Sequence, residues 1–458
     1  MKRGRCAPSS FCYIAMYEVG QKQPFSTSQC MKFLQKEAKG YKIDIRNSEA
    51  ERRAAMSQQW IVREAYLNKL IALKDKQLIK VITGVRRSGK STLLEIFQEY
   101  LVGHGIERDQ IISINFEDYE YRYLRNPDQL YQYIKERLSE NSYTYIFLDE
   151  IQHVDNFQEV VDGLYIKKNV DIYITGSNAN MLSGELATLL SGRYVEISIL
   201  PLSFKEYAEN VADNKTLMQK YNDYITYGSF PYVLELEKNP GEVQDYIEGI
   251  YNTVVVKDII GRKRVTDPMM LESIVLFTLD NIGNQLSTKK IADTMTSAGR
   301  KIDVRTVEKY INSLQECYIL YQARRYNIKG KQLLRSLEKY YAVDMGLRYA
   351  MLGSKAFDVG HVLENVVYLE LLRRGYKVYV GKVDELEVDF VAVKPQGITY
   401  FQVSATVRDS KTLERELASL RAINDSHPKY LLTLDEDPDA NYDGIIRTNV
   451  LNWLMQNK

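Results

Sequence analysis

Eight residues, Gly84-Val85-Arg86-Arg87-Ser88-Gly89-Lys90-Ser91, set the strongest limit on what this chain can fold into. They satisfy G-x-x-x-x-G-K-[ST] at every fixed position, a loop that works only between a strand and a helix. The preceding residues Lys80–Thr83 are strand-like, and a helix is expected to begin near Ser91. Glycines let such a loop curl so that backbone N–H groups point inward, where they and the helix N-terminus attract phosphate oxygens. On this reading Gly84, Val85, Arg86, Arg87, Ser88, Gly89, Lys90, Ser91 and Thr92 cradle a nucleotide. Lys90 reaches its β- and γ-phosphates, and the Ser91 hydroxyl ligates magnesium.

A second element points the same way. Tyr145-Ile146-Phe147-Leu148-Asp149-Glu150 is an apolar strand ending in two carboxylates. Asp149 suits the Mg²⁺ shell beside Ser91, and Glu150 is placed to polarise a water for attack on the γ-phosphate. Asn178 follows the next strand, Asp171–Thr175, and is expected either to orient that water or to be an ordinary turn residue. Arg193 directly precedes another strand. It either stabilises charge on a nucleotide held by a neighbouring subunit, which makes the active form a homo-oligomer, or pairs with a local acid.

Short apolar strands alternate with helices from Leu78 to Ile199, which predicts an α/β domain with a parallel sheet. Residues 205–280 read as a helical lid or connector broken at Gly228-Ser229-Phe230-Pro231. Between 281 and 353 the order is helix, turn, helix, strand, that of a winged helix-turn-helix, with Ser287 capping the first helix. Residues 354–458 form a further small α/β domain, and residues 1–55, ahead of Met56, read as an unstructured extension. The core domain thus spans 56–204. No run of about 18 apolar residues occurs, and the N-terminus makes a poor signal peptide, so a cytoplasmic protein with no membrane contact is expected.

The motifs GVRRSGKST (Gly84–Thr92), FLDEIQ (Phe147–Gln152), TGSN (Thr175–Asn178), LSGRY (Leu190–Tyr194), PLSF (Pro201–Phe204), GSFP (Gly228–Pro231), LEN (Leu363–Asn365) and EVDF (Glu387–Phe390) follow one another in a single order. From 56 to about 455 the chain thereby resembles prokaryotic AAA-superfamily P-loop ATPases with a C-terminal domain of unknown function like restriction-endonuclease folds. That resemblance implies ATP and Mg²⁺ as cofactors.

Charge qualifies the choice of partner. The formal net charge is +1, but residues 251–350 hold 17 basic and 10 acidic groups (+7), and residues 56–250 hold 20 and 29 (−9). Lys289, Lys290, Arg300, Lys301, Arg305 and Lys309 in the helices and turn, with Arg324, Arg325, Lys329, Lys331 and Arg335 in the strand and wing, either contact duplex DNA through residues 284–335 or pair with the acidic neighbour. In the C-terminal domain a hairpin places Glu387, Asp389, Gln402 and Ser404 on one face and Val388, Phe390, Phe401 and Val403 on the other. With Glu364 this resembles the PD-(D/E)xK nuclease arrangement. Gln402-Val403-Ser404 stands where those nucleases carry E-x-K, so a degenerate site made of Glu364, Asp389, Gln402 and Ser404 is expected. The leading expectation is an ATPase coupled to a macromolecular partner. The alternatives are a nucleotide-dependent switch or DNA-binding module with negligible turnover and, third, an ATP-dependent nuclease.

Overall fold

The structure, a computed structural model, describes residues 60–139, 142–179, 190, 192–211, 213–236, 239–261, 265, 267–334, 337–353 and 358–456. The expected extension over 1–55 and the wing residue Arg335 lie outside them.

Helix α1 (Glu64–Leu73) leads to β1 (Ile79–Thr83), and α2 (Lys90–Gly103) follows the glycine loop. Next come β2 (Ile111–Asn115), α3 (Pro127–Lys135), β3 (Thr144–Asp149), α4 (Phe157–Tyr165), β4 (Val170–Gly176) and β5 (Tyr194–Ser198). These strands form one wholly parallel sheet in the order β2-β3-β4-β1-β5. β1, β3 and β4 are buried along their whole length, as central parallel strands are. That burial explains their continuous apolar runs. Among their few polar residues, Lys80 and Asp171 form a fully buried ion pair between β1 and β4.

The connector consists of α5 (Phe204–Asn210), α6 (Leu217–Tyr227), α7 (Pro240–Asn252), a π-helical stretch over Thr253–Ile260 and α8 (Pro268–Asp280). The Ser203 hydroxyl accepts from the Glu206 amide at 3.1 Å, and the Glu206 carboxylate accepts from the Ser203 amide at 2.7 Å. This reciprocal cap fixes the start of α5. α6 ends at Gly228, where the sequence predicts the break.

β6 (Gln285–Leu286), α9 (Thr288–Ser297), α10 (Val304–Glu316) and β7 (Leu320–Ala323) follow, and the Ser287 hydroxyl caps α9 by accepting from the Lys290 amide at 3.1 Å. Then come β8 (Arg325–Asn327), β9 (Gln332–Leu333), β10 (Glu338–Ala342) and α11 (Met345–Leu352). β10 pairs antiparallel with β6 and β7. The β8–β9 hairpin, expected as a wing of this unit, joins a different sheet. β8 pairs in parallel with β11 (Lys377–Val383), which follows α12 (Val359–Arg373). An unpaired strand edge is satisfied by the neighbouring edge it meets, so Arg324, Arg325, Lys329 and Lys331 border the C-terminal sheet, and Lys329 pairs with Asp384 at 2.6 Å.

That sheet contains β12 (Leu386–Lys394), β13 (Gly397–Ser404), β14 (Lys429–Thr433), β15 (Ala440–Tyr442) and β16 (Ile445–Asn449), with α13 (Ser410–Arg421) before β14 and α14 (Val450–Leu454) last. Its order is β15-β16-β14-β13-β12-β11-β8-β9. The β12–β13 register, with Phe390 opposite Phe401, is the one the sequence predicts. A bulge changes its consequence. Tyr379 faces Val391 but Gly381 faces Val388, so β12 carries one extra residue. Val388 therefore packs with Val391 and Tyr400, while Phe390 packs with Phe401 and Val403 on the other side. One apolar cluster runs from Val85 in the glycine loop through Phe204, Leu314 and Leu363 to Leu451, and a separate cluster lies within the parallel sheet.

Candidate active site

β1 delivers the glycine loop to the carboxyl end of the parallel sheet. Gly84 has φ +146°, and a Cβ there would lie 2.2 Å from the Ile199 carbonyl oxygen, so only glycine fits. Gly89, at φ +91°, turns the chain into α2. The Lys90 ammonium donates to the carbonyls of Gly84 at 3.1 Å and Val85 at 3.2 Å and stands 3.6 Å from Glu150. Burial lowers its pKa, although Glu150 and Asp149 pull the other way. The Ser88 hydroxyl is buried with no hydrogen-bond partner inside the loop. An orphaned hydroxyl and an ammonium folded onto its own loop carbonyls are the groups a polyphosphate would satisfy.

Arg63, just before α1, holds the loop from behind. Its guanidinium donates to the carbonyls of Ser88 at 3.2 Å, Leu200 at 2.7 Å and Pro201 at 3.2 Å, and to Glu206 at 2.9 Å. The PLSF motif is thus an anchor for the phosphate loop. Nothing in the local sequence around Arg63 marks it.

β3 ends beside the loop with Asp149 and Glu150, both buried. Asp149 accepts from the hydroxyls of Ser91 and Thr175, yet burial still lifts its pKa above the ordinary value. Glu150 sits in the left-handed backbone region at φ +53°. Strain of that kind persists where surrounding contacts dictate it, and here the Thr175 hydroxyl accepts from the Glu150 amide at 2.9 Å. Burial alone would raise the Glu150 pKa, but Lys90, Gln152 and Arg86 bring it below the ordinary value. Ser177 donates to its carboxylate at 3.2 Å and Gln152 also donates to it. Ser91 and Asp149 offer the hard oxygen donors that Mg²⁺ takes.

Arg86, Arg87, Gly89, Lys90, Ser91, Thr92 and Glu150 line a cavity of about 1020 Å³, closed on the far side by Pro231, Tyr232, Tyr246 and neighbours from the connector. That volume suffices for a nucleotide. Asn178 is buried just beyond the end of β4, next to β3. Arg193 lies at the opposite end of the sheet, since Tyr194 pairs with Ile79 at the start of β1. A five-residue strand of about 16 Å separates it from its own phosphate loop, and its guanidinium pairs with Asp162.

Of the C-terminal residues, Glu364, Asp389 and Gln402 come together, with a lysine among the acids. The Lys339 ammonium, from β10, stands 2.8 Å from Glu364, 2.8 Å from Glu387 and 3.8 Å from Asp389, and the Tyr341 hydroxyl donates to Glu364 at 2.6 Å. Burial and the Glu364 charge push the Asp389 pKa well above its ordinary value. Burial would raise Glu364 too, but Lys339 brings it below its ordinary value. Gln402 adjoins Asp389, accepting from the Asp389 amide at 3.2 Å while donating to Glu416 of α13 at 2.8 Å, and the Asp389 carboxylate accepts from the Val403 amide at 2.9 Å. Ser404 donates to the Thr406 carbonyl at 3.1 Å. Among the described residues no group of three or more His, Cys, Asp or Glu is placed to hold a metal ion.

The strand order, the glycine loop and the Asp149–Glu150 pair define a P-loop ATPase domain of the AAA type. The sequence profile described as an AAA domain matches residues 76–208, and a second, described as a domain of unknown function, matches 218–358. An uncharacterised protein of Haemophilus influenzae is 43% identical over 405 residues, spanning 88% of this chain and 100% of the relative. An uncharacterised protein of Methanocaldococcus jannaschii is 30% identical over 331 residues, spanning 68% and 71%. The Walker-type ATPase of Pyrococcus abyssi aligns in three dimensions at a TM-score of 0.47 and 14% identity, over 64% of this chain and 96% of that one. This chain belongs to the AAA-domain family of P-loop ATPases. Among the described residues no helix is long and apolar enough to cross a membrane.

Proposed function

We propose that the protein binds ATP with Mg²⁺ and hydrolyses it, and that Lys90, Ser91, Asp149 and Glu150 carry the reaction. The observation that carries this reading is their convergence at one end of the sheet, on a cavity large enough for the nucleotide. Ser91 and Asp149 would hold Mg²⁺, which neutralises charge across the β- and γ-phosphates. Lys90 exchanges its loop carbonyls for phosphate oxygens. Glu150, ionised under the influence of Lys90, accepts the proton as water oxygen bonds to the γ-phosphorus and the bond to the bridging oxygen breaks. ADP and phosphate leave, and the proton passes to solvent. Asn178 is proposed to orient the water, and Arg193 to act on a neighbouring subunit's nucleotide after leaving Asp162. Glu150→Gln is expected to lower kcat at least about 100-fold while nucleotide affinity stays within about three-fold. Wild-type turnover in Glu150→Gln would remove Glu150 from the mechanism.

The proposed partner is duplex DNA at residues 284–335. Lys289, Lys290, Lys301, Arg305 and Lys309 on α9, α10 and the turn are all exposed, which supports it. Arg300 instead donates to the Met269 carbonyl at 3.1 Å and to Ser273 at 2.9 Å, so its role is structural. No cleavage is assigned to the C-terminal unit. The reading of Glu364, Glu387 and Asp389 as a joint rather than a metal site rests on the Lys339 ammonium among them.

A further inference from the structure

Arg86, the third residue of the glycine loop, lines the cavity but is fully committed elsewhere. Its Nε donates to Asp258 Oδ2 at 2.7 Å and its Nη2 to Oδ1 at 3.3 Å, a two-pronged grip on one carboxylate. Its Nη1 donates to Glu117 at 2.8 Å. Asp258 is 3% exposed and belongs to the π-helical stretch Thr253–Ile260, whose first residue lines the same cavity together with Gly249 and Ile250 of α7. Such stretches in a helix mark sites of adjustable winding.

Asp258 occupies two of the guanidinium's nitrogens and Glu117 the third, the donors that phosphate oxygens would otherwise take. A nucleotide can use Arg86 only by displacing one of its partners. Half-exposed Glu117 holds only Nη1 and yields it readily to water, whereas Nε and Nη2, the two-pronged face of the guanidinium, come free only when the buried Asp258 gives up its counter-ion.

We propose that Asp258 is an internal competitor for the nucleotide's phosphates on Arg86, so that nucleotide binding unseats the Thr253–Ile260 segment. This inference rests on the nucleotide reading above. Linkage makes the effect reciprocal: whatever holds the segment in place weakens the nucleotide, and the nucleotide loosens the segment by the same factor.

The test is a titration of the full chain with a fluorescent, non-hydrolysable ATP analogue. Asp258→Asn is expected to bind it about five-fold more tightly or better, and Arg86→Ala/Asp258→Asn is expected to bind no more tightly than Arg86→Ala alone. Equal or weaker binding by Asp258→Asn overturns the proposal. Should Asp258→Asn not fold, hydrogen exchange over 253–260 in the wild type decides: faster exchange with nucleotide supports the device, and unchanged or slower exchange overturns it. A wild type that binds no analogue, or a Lys90→Ala variant that binds it equally well, sinks the nucleotide reading itself and this inference with it.

Discussion

At the scale of single residues the site is a set of hydroxyls and charges that fix one another. Thr175 serves both acids, accepting from the Glu150 amide and donating to Asp149. Burial raises the Asp149 pKa, and the Thr175 and Ser91 hydroxyls hold it down. Metal binding needs the ionised form, so activity falls as pH drops through that raised value. Thr175→Val removes one restraint and is expected to shift the acid limb of kcat/KM to higher pH, measured at saturating Mg²⁺. An unmoved limb would show that Asp149 does not govern it. The loop and the acid pair were legible because each is a contiguous string whose spacing encodes its geometry. Thr175, Ser177 and Arg63 were not. Thr175 reaches Asp149 only because β3 and β4 are neighbours with Leu148 opposite Ile174, and Arg63 reaches Ser88 only when α5 is in place. Asn178 drew attention as the polar residue at the strand tip, and one residue before it the Ser177 hydroxyl donates to Glu150.

At the scale of elements the phosphate loop depends on what α1 and α5 bring behind it. Arg63 and Glu206 meet at 2.9 Å, and Arg63 brings Glu206 below its ordinary pKa against the effect of burial. A depressed folded value stabilises the protein above the unfolded pKa near 4.5, and that stability is lost as pH falls through the folded value. Glu206→Gln is therefore expected to flatten the acid limb of stability against pH. Arg63→Met leaves the part-buried Glu206 carboxylate without its guanidinium and is expected to cost about 1–3 kcal/mol in denaturant melts. An Arg63→Met protein as stable as wild type would mean that the pair is dispensable to the loop. Elements were legible wherever periodicity decides: the five parallel strands, the break at Gly228 and the Ser287 cap all stand where the apolar spacing and capping residues put them. The β12 bulge and the allegiance of β8–β9 were not, because both depend on which edge a strand meets.

At the scale of the whole molecule one buried lysine joins the middle of the chain to its end. Lys339 faces three carboxylates that all come from beyond residue 358. Lys339→Met leaves the buried Glu364 and Asp389, beside the part-exposed Glu387, without a cation and is expected to destabilise by about 3–5 kcal/mol, with stability recovering as pH falls and the acids protonate. Adding Glu364→Gln should return part of the loss. If Lys339→Met instead binds Mn²⁺ in solution, the acids form a latent cation site that the lysine occupies. Lys339 comes from 25 residues before Glu364, a separation no strand pattern discloses. The exposed basic residues of α9 and α10 predict DNA binding that weakens steeply between about 50 and 200 mM salt. Binding indifferent to salt would exclude that face.

The β8–β9 hairpin has one last consequence. The profile of unknown function ends at 358, one residue before α12, yet its own hairpin is hydrogen-bonded into the sheet that begins after it. A gene rearrangement that cut there would leave β11 without its neighbour and Lys339 without its acids. The last hundred residues are therefore not a cargo that recombination can swap freely, and lineages that keep the central region in this form should inherit both together.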